Sequence, residues 1–168
     1  MRFNERVVAE EDGTRTYWDS DGALRKDLRT PEGSTTQWLD YTIKTRHDWD
    51  QHRHRLTYDE ARIPAGALDA GRRARAADKA VFFQSHACFH PTWSRVGMVE
   101  EMILMKEDPD FVHELYADQT RLVIAIHEGM VARGIEFDAA FVADDLGYVS
   151  DPLISPDMYR ELVFPYHK

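Results

Sequence analysis

The chain has 168 residues, 43% of them hydrophobic, which is enough for one domain with a real core. Asp and Glu number 30 against 21 Lys and Arg, a formal net charge of -9, and this excess argues against nucleic acid, whose phosphates need a local surplus of cations. Cys88 is the single cysteine, so no internal disulfide can form and a reducing compartment is expected.

The first segment, MRFNERVVAEEDG, holds no apolar run that would serve as a signal peptide. Arg6-Val7-Val8-Ala9 and Thr14-Arg15-Thr16-Tyr17-Trp18 flank Glu11-Asp12-Gly13, and Asp-Gly between extended segments signals a hairpin. Asp21-Gly22 suggests a second turn and Pro31-Glu32-Gly33-Ser34 a third, ahead of a strand over 37–43. Residues 1–58 thus read as a β-meander of low hydrophobicity, appended to something larger. Near its end a short polar helix starts at Lys44-Thr45, with Thr45 as N-cap. Arg72-Arg73-Ala74-Arg75 lies close in sequence to Glu60, Asp69 and Asp78 and reads as a solvated helix face.

From residue 79 the pattern turns α/β. Ala80-Val81-Phe82-Phe83 has the length and character of a buried strand, followed by a loop rich in His, Cys and Pro over 85–91. A helix is predicted over 99–106. The next is the best signalled: Asp108 caps it, Pro109 suits its first position, and Phe111, Leu115, Leu122, Ile126 and Met130 draw one apolar stripe to Gly134. Its longest nearly apolar stretch, 122–126, is far too short to span a bilayer. A soluble cytoplasmic protein with no membrane partner is the expectation. A second strand is predicted over 136–143, and Ser155-Pro156-Asp157 opens a final helix within which the chain stops.

Two strands joined by a helical crossover are expected to lie parallel with a right-handed connection. A full barrel takes eight such units and about 250 residues, and this chain has room for about three. The fold class expected is therefore α/β: a partial TIM (β/α)8 barrel over 59–168, truncated at its C-terminus, with the β-meander of 1–58 as an N-terminal appendage.

In parallel α/β folds ligands meet the loops after the carboxyl ends of strands. The strand ending at Ala143 delivers Asp144 and Asp145 there. Adjacent carboxylates repel, so one of them is suited to proton transfer or to steadying a developing positive charge; the plainer alternative is that both are solvated loop acids or helix caps. Tyr148 adds an aromatic face with a hydroxyl. His86-Ala87-Cys88, with His90, has the spelling of a soft-metal site, but it lacks a second cysteine, and a buried thiol beside loop histidines is the favoured reading. His86 remains a candidate pocket residue and Arg95 a candidate clamp for a substrate carboxylate, against a surface ion pair. Tyr166 and His167 read as helix-surface packing. Phosphate-cradling glycine loops and Gly-x-Ser-x-Gly elbows are absent from the sequence.

Ala143-Asp144-Asp145-Leu146-Gly147-Tyr148, followed by Pro152-Leu153-Ile154-Ser155-Pro156-Asp157-Met158-Tyr159-Arg160 and Phe164-Pro165-Tyr166-His167-Lys168, resembles the uroporphyrinogen decarboxylase superfamily. Gly97-Met98, Asp108-Pro109-Asp110 and the long helix ending at Gly134 fit the same order and spacing. The resemblance covers most of the chain, tightly over 80–168 and loosely before. It implies a TIM barrel and a decarboxylase that strips carboxylates from a tetrapyrrole, or a related carboxylated substrate, without a cofactor. Under it Asp144 and Asp145 are catalytic candidates, and Tyr148, His86 and Arg95 substrate-binding ones. The family's early arginine-rich loop and first catalytic aspartate have no counterpart here. The alternatives are a zinc-dependent methyltransferase of the same fold, with a corrinoid protein as partner, and a small-molecule binding barrel without turnover. For the methyltransferases the resemblance places a zinc-binding His-x-Cys pair beyond the segment present here. The partner expected in every case is a small molecule, with a homodimer left open.

Overall fold

The computed structural model describes residues 1–30 and 33–168. Strands β1 (Arg6–Glu11), β2 (Thr14–Trp18), β3 (Ala23–Thr30) and β4 (Gly33–Tyr41) come first, then helices α1 (Arg46–His52) and α2 (Ala67–Ala76) and strand β5 (Phe82–His86). Helices α3 (Phe89–Val96), α4 (Met98–Glu107) and α5 (Pro109–Ala132) lead to strand β6 (Ala139–Ala143). The last helical stretch consists of α6 (Pro156–Met158), a π turn (Tyr159–Val163) and α7 (Phe164–His167). Two compact units result, each discontinuous in sequence: Met1–Leu56 with Pro91–His113, and Thr57–His90 with Glu114–Lys168.

The first unit carries an antiparallel sheet in simple meander order, β1-β2-β3-β4. Asp12 and Gly13, both with positive φ, form the two-residue turn between Glu11 and Thr14, a geometry whose twist matches that of the flanking strands. At the second turn Asp19 accepts the N–H groups of Asp21 and Ala23 on its own carboxylate, and Gly22 takes φ 89°. The third turn, read at Pro31-Glu32-Gly33-Ser34, falls in part on Pro31 and Glu32, outside the described residues. Trp38 and Trp93 meet edge to face at 5.4 Å, with the Arg25 guanidinium over Trp38. Helix α1 begins with a reciprocal capping box between Thr45 and Asp48, and buries Trp49. Arg46 holds both oxygens of Asp108, one of which also accepts the N–H of Phe111 in the first turn of α5.

In the second unit β5 and β6 pair in parallel, from Phe82 opposite Ala139 to His86 opposite Ala143. Asp138 locks the start of this register: its carboxylate accepts the Val81 N–H and its own N–H donates to the Val81 carbonyl. Leu115, Tyr116 and Leu122 from α5 form the core with Phe83, Cys88, Phe89, Leu162 and Val163. Gly134, at φ 84°, ends α5 with its N–H on Val131, while Ile135 donates back to Met130. Among the described residues no helix is long and apolar enough to cross a membrane.

This arrangement overturns the partial TIM barrel. The larger sheet is antiparallel and four-stranded, and the parallel sheet has two strands. The apolar runs that announced barrel strands are not buried on both faces: Phe83 enters the core, but Phe82 is 56% exposed and Phe141 58%. A short apolar run followed by a helical crossover fixes parallel pairing of two strands, but nothing in it dictates that the sheet goes on to close.

Candidate functional site

The register of β5 and β6 decides where side chains gather. His86 pairs with Ala143, and the Ala87 N–H still reaches the Ala143 carbonyl at 2.8 Å. Both strands therefore leave the sheet at the same end, delivering Ala87-Cys88 from one and Asp144-Asp145 from the other. Helix α3 starts at Phe89, and the first N–H groups of any helix lack intrahelical partners.

Asp144 fills that deficit from across the sheet. Its Oδ2 accepts the N–H of Phe89 at 2.9 Å and of Cys88 at 3.2 Å, and its Oδ1 accepts the N–H of His90 at 2.6 Å. A carboxylate at the positive end of a helix is favoured by charge as well as by hydrogen bonding. The side chain is only 3% exposed, so it works nearly out of water.

His167 comes to the same carboxylate from the last helical stretch. Its Nε2 lies 3.0 Å from Asp144 Oδ2 and its Nδ1 3.2 Å from the Tyr159 hydroxyl. Pro165 has no N–H to continue the helix ladder, and the π turn Tyr159–Val163 ends two residues before it. The wider turn accompanies a pairing of two side chains eight residues apart.

Cys88 completes the cluster. It is fully buried, and its Sγ, a carboxylate oxygen of Asp144 and a ring nitrogen of His167 all lie within 4.8 Å of one another. Beside them opens a pocket of about 290 Å³. Its apolar wall is Ala87, Val123, Ile124 and Val142; its polar groups are Thr120, Tyr166, His167 and Lys168. Tyr166 packs edge to face on Tyr116, and burial pushes its phenol pKa up, with Cys88 adding to the rise and Arg121 opposing it.

The residues singled out from sequence are dispersed differently. Asp144 is at the centre, its side chain buried, as the cap of α3. Asp145 is exposed beside it. His86 stands at the same sheet end, exposed, its ring stacked on His90 at 4.6 Å. Tyr148 is 72% exposed, next to the Gly147–Pro152 bridge. Arg95 belongs to the first unit, where it is buried and donates through Nε to Asp21 at 3.1 Å; the acid it clamps is the protein's own. His167 and Cys88 were the residues sequence reasoning set aside. The available signal was Pro165 inside an apparent helix, which marks a break in the ladder two residues before the histidine. In comparisons with protein-family models, with curated proteins and with solved structures, nothing matches this chain.

Proposed function

We propose that this chain is an enzyme of uroporphyrinogen decarboxylase-like chemistry that removes carbon dioxide from a small carboxylated molecule held in the pocket beside Asp144 and His167. The observation that carries this reading is the pairing of one cation, Lys168, with the apolar wall of Val123, Ile124 and Val142. A carboxylate attracted to Lys168 would lie against apolar side chains, of which Ile124 and Val142 are half-exposed and lose water only as a substrate covers them. Desolvation raises the energy of the localised carboxylate more than that of the transition state, in which the charge spreads into the carbon skeleton.

In that reaction the bond between the carboxyl carbon and its neighbour breaks, carbon dioxide leaves, and the electron pair left on carbon takes up a proton from water. No oxidant or reductant is consumed. The substrate itself supplies the electron sink, an adjacent carbonyl or a protonated heterocycle. A pocket of about 290 Å³ stands at the lower end of the range for small-ligand sites and suits a single ring or a short acid, not four linked pyrroles. The motif order from Asp144 to Lys168 supports the chemistry, and the proposal takes over that chemistry without the barrel.

The test is release of labelled carbon dioxide from carboxyl-labelled β-keto acids and heteroaryl acetic acids. Saturable turnover is expected, with Lys168→Met raising KM about tenfold or more, the scale of a lost charged hydrogen bond. If none of these acids releases label, the decarboxylase reading fails.

A further inference from the structure

We propose that Cys88, Asp144 and His167 form a site for a single zinc-class divalent cation. The inference goes beyond the decarboxylase reading and does not depend on it. Nor are these the residues for which the family resemblance implies zinc.

The three donors are a thiol, a carboxylate and an imidazole, brought within 4.8 Å of one another from three separate parts of the chain. Zinc bonds of about 2.3 Å to sulfur and about 2.0–2.1 Å to nitrogen or oxygen place tetrahedral ligand atoms about 3.3–3.6 Å apart. The 3.0 Å between His167 Nε2 and Asp144 Oδ2 widens by a few tenths of an ångström to meet that geometry, and the sulfur edge closes by up to about 1.2 Å. The cation takes the place of the direct contact between imidazole and carboxylate.

The surroundings fit such a site. The Tyr159 hydroxyl stands at His167 Nδ1, where it can accept that nitrogen's proton and leave the Nε2 lone pair aimed at the cation. The three N–H groups of Cys88, Phe89 and His90 hold the carboxylate in place. Thiolate and carboxylate together cancel the charge of a divalent ion, so the buried assembly is neutral, whereas any one of these charges alone would be costly out of water. Sulfur with nitrogen selects zinc or cobalt over magnesium or calcium, which take oxygen donors. Three protein ligands leave a fourth position open, as in catalytic zinc sites, and His167 also lines the neighbouring pocket.

The experiment is titration of chelator-treated full chain with cobalt(II), read by absorption, and then displacement of cobalt by zinc. One cobalt per chain is expected, with intense tetrahedral ligand-field bands in the visible and a thiolate-to-cobalt charge-transfer band. Cys88→Ser should abolish that band, and His167→Gln should weaken binding tenfold or more, the scale of a lost ligand interaction. Because Cys88 is the only thiol in the sequence, the wild-type spectrum decides even if a variant does not fold. Cobalt bound without the thiolate band, or bound below one equivalent, overturns the proposal. Carbon dioxide release plays no part in this readout, so the two proposals fail separately.

Discussion

His167 Nε2 lies 3.0 Å from Asp144 Oδ2, and that same oxygen accepts the N–H groups of Cys88 and Phe89. One carboxylate thus joins the start of α3 to the last helical stretch, across the end of a parallel strand pair. Its neighbour Asp145 is exposed, so two adjacent aspartates have sharply different surroundings.

Substitution separates them. Asn at 144 loses the negative charge and turns an amide donor toward N–H groups that need an acceptor. Asp144→Asn is expected to cost about 2 kcal/mol, the upper end of helix-cap losses. Asp145→Asn should leave the urea midpoint unchanged. Equal midpoints for the two variants would show that Asp144 does not hold α3.

Tyr159 offers a test that does not touch the proposed ligands. Tyr159→Phe keeps the ring and removes only the hydroxyl at His167 Nδ1. Loss of such an outer partner typically weakens metal affinity by about 10–100-fold. The cobalt spectrum should keep its thiolate band while the titration midpoint moves to higher metal. An unchanged midpoint would mean that the hydroxyl does not orient the ring.

The local elements of this protein were largely legible in its sequence, because each carries its own chemistry. Asp12-Gly13 announces a tight hairpin, Thr45 with Asp48 a helix start, and Asp108-Pro109 through Gly134 a long helix; all three are found. The level above was not legible. The runs around Phe82 and Phe141 specify strands, but whether further strands flank them depends on partners that periodicity does not encode. At the site, the turn at Asp144 followed from its position after a strand. His167 did not, because its approach depends on a π turn, and 3.6-residue periodicity places it on another face. Arg95 looked like a substrate clamp because its counter-ion, Asp21, lies 74 residues away in sequence.

Gly22 is predicted to be the least replaceable of the turn glycines. At φ 89°, a Cβ there would sit 2.7 Å from the Phe3 ring. Gly134 has a similar φ of 84°, but a Cβ there would meet open space. Gly134→Ala should therefore cost about 1 kcal/mol of backbone strain alone. Gly22→Ala adds overpacking and should cost about 3 kcal/mol. In a Phe3→Ala background the Gly22→Ala cost should fall toward the Gly134→Ala value, measurable as a coupling in a double-mutant cycle. Strict additivity would remove Phe3 from the account.

The pair Asp21–Arg95 ties folding stability to acid. Burial alone would raise the Asp21 carboxyl, but the Arg95 guanidinium and the N-terminal ammonium outweigh it and hold the pKa below the usual carboxylate value. The unfolded chain, with a carboxyl near the ordinary value of about 3.9, binds a proton before the folded one does. The stabilisation is therefore complete above about pH 4 and fades as pH falls through the lowered folded pKa. Arg95 is left buried without this partner in Asp21→Asn, although the Asp21 side chain is 36% exposed and solvent screens part of the loss. At about pH 7 the variant should be less stable by about 1–2 kcal/mol. Once the pH falls through the lowered folded pKa, the gap should shrink toward the value for two neutral side chains, because wild-type Asp21 is then protonated as well. Urea unfolding of both proteins across this range measures the gap directly. A gap that stays constant from neutral to strongly acidic solution would show that Asp21 carries no proton linkage to folding.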